Sequence, residues 1–161
     1  MIQELPIVLA INPGTKYIGL AVLDGQDLVY WGIKVLKGKW SKDKMKTAQR
    51  AVKNIIDQYH VKILILKRLH LSRSSRNLNL LVSSIKKMAN RKGIKLCLYS
   101  LEDIKKYLAI GKRSNKMVIA EIMAKKYPFL IHELEKEKKH KHPYFVRMFE
   151  AIAAGVLILG H

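Results

Sequence analysis

Val8-Leu9-Ala10-Ile11-Asn12-Pro13-Gly14-Thr15-Lys16-Tyr17-Ile18-Gly19-Leu20-Ala21-Val22 is the stretch whose reading decides the fold. An apolar run ends at Asn12, Pro13-Gly14 breaks it, and a second apolar run starts at Tyr17. Proline and glycine between two strand-like runs mark a sharp turn. The pattern therefore predicts a strand over 7–12, a turn, and a second strand over 17–23 running back beside the first. Asn12 stands at the end of the first strand, where the chain presents a side chain at the sheet's rim. It is an amide, neutral and a weak ligand for a hard cation compared with a carboxylate.

Working outward, Asp24-Gly25 is a hairpin signal, and a third strand is predicted over 27–36. Three antiparallel strands in a row make a meander. After a polar, lysine-rich stretch, Ser41 or Asp43 is placed to cap a helix reaching Tyr59. Ala48, Val52, Ile55, Ile56 and Tyr59 recur along it at three and four. The continuous apolar run 62–66 reads as a buried parallel strand. A segment rich in Ser and Arg, 69–79, leads into a helix ending near Asn90, with Arg91-Lys92-Gly93 as its terminator. A fifth strand is predicted over 94–99, then a short helix over 101–108 capped by Ser100. A basic loop over 111–116 follows, then a helix over 117–127. The charged stretch 131–142 precedes a last helix over 144–159. This order predicts an α/β fold: a five-stranded mixed sheet, an antiparallel three-strand meander plus parallel strands, with helices on both faces. That description is the RNase H-like architecture. No repeat or linker interrupts it, so a single domain over 1–161 is expected.

The chain has 161 residues, nearly half of them apolar, which suits a globular core rather than a disordered tail. Its 31 Lys and Arg against 12 Asp and Glu give a net charge of +19. Such an excess on a compact domain points to a polyanionic partner, nucleic acid first. The one cysteine, Cys97, excludes a disulfide within the chain and a cysteine-based metal site, and reads as a small core residue. No signal-peptide pattern is present, and the apolar run 151–159 is too short to span a bilayer. A soluble, cytoplasmic protein without a membrane partner is the expectation.

Three segments carry a resemblance to the RuvC Holliday junction resolvases and the related YqgF-type proteins of the RNase H-like superfamily. The stretch 9–22 looks like the family's strand-Asp-Pro-Gly-Thr/Ser hairpin. Ile104 to Lys116 is similar to its Val-Lys-Lys segment, basic loop and following lysine. Glu150-Ala151-Ile152-Ala153 is similar to the Asp-Ala-Leu-Ala start of its last helix. Only the first motif is specific alone; the others count because they fall in order. The resemblance implies a RuvC-type fold and a scaffold that cleaves phosphodiesters with two Mg²⁺ held by about four carboxylates.

Carried over one position at a time, those acids fall on Asn12, on Lys67 at the end of the fourth strand or on Leu66 if the register slips, on Arg147 and on Glu150. Glu150 alone is an acid. A cation about 4 Å from a metal position costs roughly 4 kcal/mol per pair of unit charges at an effective dielectric of 20. A single Asp-to-Asn change would fit an engineered nuclease trap; three departures look like natural loss. The site expected from the sequence is therefore a degenerate one of Asn12, Lys67 and Glu150, with no metal and no other cofactor. Mg²⁺ enters only if an altered nuclease remains. Lys67 reads as a replacement for the metal's charge, holding a phosphate or pairing with Glu150. Arg73, Arg76, Lys112, Arg113, Lys116 and Lys16 read as phosphate contacts on segments rich in Ser and Asn. Trp31 and Trp40 read as core or edge residues. His132, His140, His142 and His161 fit no zinc spacing, and the run 136–141 reads as a solvated helix end.

The expected function is binding of DNA or structured RNA, branched DNA included, without two-metal cutting. One alternative is an active RuvC-like endonuclease with an altered site, for which Asp24, Asp27, Glu102 and Asp103 are the spare acids. Another is a protein-interaction role beside a related nuclease, or a homodimer, with the helix over 74–90 as the surface to inspect.

Overall fold

The computed structural model describes residues 5–70, 72–139 and 145–160. Its sheet is built from β1 (Ile7–Asn12), β2 (Tyr17–Asp24), β3 (Asp27–Val35), β4 (Ile63–Lys67) and β5 (Lys95–Tyr99), in the order β3-β2-β1-β4-β5. The first three strands are antiparallel; β4 runs parallel to both β1 and β5. The expected meander and parallel strands are both present. Boundaries move by a residue or so: β4 extends through Lys67, and β3 stops at Val35.

Strand alternation divides the core in two. Leu9 and Ile11 of β1 pack with Leu64 and Leu66 of β4 under α1 (Lys42–Tyr59) and α2 (Arg76–Arg91). Val8 and Ala10 pack with Ile65 on the other face, under α3 (Leu101–Tyr107), α4 (Lys116–Lys126), α5 (Ile131–Lys139) and α6 (Val146–Leu159). α6 is buried along nearly its whole length, as expected of a helix apolar on all sides. It lies directly on β1 and β2 because Gly19 has no side chain. A Cβ there would collide with the Arg147 carbonyl of α6.

The helix caps are local and legible. Ser41, not Asp43, accepts the Lys44 amide at α1; Ser75 accepts that of Leu78 at α2. Ser100 and Asp103 form a reciprocal capping box on α3. Asn115 accepts from Met117 and Val118, which starts α4 one residue early, at Lys116.

The charged stretch is solvated at Lys136, Lys138 and Lys139, as its reading as a wet helix end expects, and Glu137 is the exception among 136–139. The stretch folds as α5, which buries Leu134 and Glu137, and a Glu137 carboxylate oxygen accepts the Phe145 amide at 2.7 Å just before α6. The last helix starts at Val146; the expected start at Tyr144 lies outside the described residues, as do His140, His142 and His161. Trp31 lies over Phe129, ring centroids 4.8 Å apart, and Trp40 is half-buried against the α1 face. Cys97 is half-buried on the edge strand β5. Among the described residues no helix is long and apolar enough to cross a membrane.

Candidate nucleic-acid interface

β1, β4 and β5 are parallel and end at Asn12, Lys67 and Tyr99. Period-two alternation from Ala10, Ile65 and Cys97 turns all three toward α6. Ligands of open α/β sheets bind beyond these carboxyl ends. α6 brings Glu150 to the same place from its second turn.

Glu150 is 1% exposed, and its carboxylate is ringed by polar partners. The Lys67 Nζ lies 3.2 Å from Oε1 and 3.0 Å from Oε2. The Lys116 Nζ lies 3.2 Å from Oε1, and the Tyr99 hydroxyl donates to Oε2 at 3.1 Å. Burial alone would push the Glu150 carboxyl up, but Lys67 and Lys116 outweigh it and hold it below its ordinary value of 4.5. Burial lowers the Lys67 ammonium from its ordinary 10.5; Glu150 pulls it back, but Lys116 and Arg147 push down again. An isolated pair would raise its lysine. Here burial is the larger effect, and the carboxylate that Lys67 shares with Lys116 offsets it only in part. Burial, then Glu150, raises the Tyr99 phenol well above 10.0, so Tyr99 remains a donor.

Asn12, also 1% exposed, has a structural bond: its side-chain amide donates to the Arg147 carbonyl at 3.3 Å. Arg147 in turn donates from Nη1 to the Pro13 carbonyl at 3.4 Å. The hairpin turn and the first turn of α6 are thereby tied together in both directions.

The structure thus brings together Asn12, Lys67, Lys116 and Glu150, four of the residues singled out from sequence. Lys116 is closer in than expected: it pairs with Glu150 rather than standing only among exposed loop cations. Lys16, Arg73, Arg76, Lys112 and Arg113 are exposed. Lys16 follows β1, Arg73 and Arg76 follow β4, and Lys112 and Arg113 lead into Lys116 at the start of α4. No hydrogen bond or ion pair among the described residues joins these five to the Glu150 cluster. Sequence reasoning missed Tyr99. The signal was there, since a polar aromatic ends a parallel strand in phase with Cys97.

Three of the spare acids lie elsewhere or are occupied. Asp24 pairs with Ile7 and with Asp27, at the opposite end of β1 from Asn12. Asp103 belongs to the α3 cap. No group of three or more His, Cys, Asp or Glu suited to a metal occurs among the described residues. The outer face of α2 shows one large exposed apolar side chain, Leu80, among polar ones.

No family model matches this sequence, and no curated protein matches it. Solved structures do resemble its fold. RuvC of Thermus thermophilus superposes with a TM-score of 0.68 at 14% identity, over 94% of this chain and 92% of that one. The same protein in complex with a Holliday junction substrate gives 0.64 at 14%, over 94% and 91%. Ydc2, the yeast mitochondrial Holliday junction resolvase, gives 0.61 at 13%, over 99% and 80%. At such identities the likeness concerns the backbone alone: this chain has the RuvC-type, RNase H-like fold of the Holliday junction resolvases.

Proposed function

We propose that this chain binds DNA, branched DNA foremost, at the carboxyl end of its sheet, and does not cleave it by two-metal chemistry. The observation that carries the second half is the saturation of Glu150. An ionised carboxylate has about four lone-pair sites, and Lys67, Lys116 and Tyr99 occupy them. Mg²⁺ takes carboxylate and water oxygens in a near-octahedral shell. The residues here do not fit it: one acid, fully engaged, with three cations, Lys67, Lys116 and Arg147, close by. Asn12 adds no charge, and its amide is spent on the Arg147 carbonyl. DNA binding is supported by the net charge of +19, by the exposed cations on the segments that follow β1 and β4 and that lead into α4, and by the junction-bound state of the Thermus thermophilus protein.

The test is a four-way DNA junction offered to the purified protein with Mg²⁺ and with Mn²⁺, read for both binding and strand scission. Binding without scission is expected, and Asn12→Asp alone is expected to create no activity. That variant adds a carboxylate but leaves both lysines on Glu150. Junction cleavage by the unaltered protein, abolished in Glu150→Gln, would overturn the proposal in favour of an altered nuclease.

A further inference from the structure

We propose that Lys67 and Lys116 are a phosphodiester clamp: two ammoniums, held in place by a buried carboxylate, that grip a backbone phosphate without any metal. This deepens the function proposed above and rests on it.

The geometry separates an anchor from a gripping surface. Glu150 is 1% exposed and faces inward, whereas the side chains of Lys67 and Lys116 are 24% and 41% exposed. Both Nζ atoms lie 3.2 Å from Glu150 Oε1, so they are no farther apart than twice that distance. The two non-bridging oxygens of one phosphodiester can span such a gap. Each ammonium has three N–H donors; Lys116 places one on Glu150 and keeps others for a ligand. A lysine normally gives up rotamer freedom when it binds an anion. Here the shared carboxylate has already restricted both side chains.

Charge decides what the cluster accepts. Lys67, Lys116 and Arg147 against Glu150 leave the neighbourhood positive by two, so an anion is attracted and a free divalent cation is not. Arg147 itself is turned to the Pro13 carbonyl and supports the turn. The two lysines stand where β4 and α4 meet the carboxyl end of the sheet. The basic segments with Arg73, Arg76, Lys112 and Arg113 adjoin them in the chain. A nucleic-acid strand following those segments would be drawn toward the pair.

The experiment is a salt titration of four-way junction binding, read by fluorescence anisotropy in EDTA and in Mg²⁺. The proteins are the unaltered chain, Lys116→Met, the double variant Lys67→Met with Glu150→Gln, and Glu150→Gln alone. The double variant removes the pair as a unit, so no buried carboxylate is left dependent on Lys116 alone, and circular dichroism confirms that it folds. The unaltered protein should bind equally well in EDTA. Lys116→Met and the double variant should each weaken affinity about tenfold or more. The magnitude of the log–log salt slope should fall by about 0.9 for each phosphate that is no longer neutralised. Glu150→Gln, which keeps both lysines, should retain the slope. Folded variants that bind with unchanged affinity and slope would reduce the pair to a structural role. Binding abolished by EDTA and restored by Mg²⁺ would replace the clamp with a metal. If the unaltered protein binds neither junction, duplex nor single strand, the underlying DNA-binding reading itself fails.

Discussion

A buried ionised carboxylate is costly unless its charge is matched and its lone pairs are filled. Glu150 meets both conditions through Lys67, Lys116 and Tyr99. Its carboxyl is held below 4.5, so the sign of its contribution follows. The ionised form stabilises the fold above the ordinary carboxyl value. That stabilisation disappears as pH falls through the lowered folded-state value. Glu150→Gln should therefore cost about 3 kcal/mol at neutral pH, at the low end for a broken buried pair because both lysines retain access to water. Urea unfolding at a series of pH values would show the gap between variant and parent closing as pH falls below the ordinary carboxyl value of 4.5 and through the lowered folded-state value. A gap that stayed constant would mean that the carboxylate's charge contributes nothing. Asn12 is the contrasting case: equally buried but neutral, it has no charge to match, and its side-chain amide donates to the Arg147 carbonyl.

At the scale of elements, the site depends on how closely α6 approaches the sheet. Gly19 pairs with Asn12 across β1 and β2, and Arg147 of α6 passes over it backbone to backbone. Gly155 makes the second close approach, where an added Cβ would meet the flexible end of Leu23. A side-chain end can shift; a helix backbone held by neighbours cannot shift alone. Gly19→Ala should thus destabilise by about 3 kcal/mol, and Gly155→Ala by about 1 kcal/mol, the two ends of the usual overpacking range. Urea midpoints would rank them, and the reverse order would mean that α6 is not seated at Gly19. α5 supports the same helix from its start, through Glu137 and the Phe145 amide. Its charge run looks solvated throughout in sequence because the two residues it buries, Leu134 and Glu137, include an acid.

For the whole molecule, +19 on 161 residues means that the proposed association with DNA would be governed by counterion release. The exposed cations Lys16, Arg73, Arg76, Lys112 and Arg113 lie on segments at or leading to one end of the sheet, so their field has a direction. Arg113→Glu should weaken junction binding and lower the salt slope by about 0.9 per phosphate released, while leaving thermal stability unchanged because the residue is exposed. Equal affinity and slope in the variant would remove this loop from the interface.

The sequence by itself determined the strands, the meander, the buried fourth strand and the helix caps. Each depends on residues close together in the chain: apolar runs of strand length, Asp24-Gly25, Ser41 and Ser100. It also placed an amide, a lysine and a glutamate at the critical positions, because alternation along a strand is a local rule. Only the tertiary structure decided that Lys67 bridges both Glu150 oxygens, that Lys116 turns inward, and that Tyr99 completes the shell. Lys67 and Glu150 are separated by 83 residues, and Tyr99 and Glu150 by 51. Their meeting depends on the close approach of α6 over Gly19, a packing fact with no local signature.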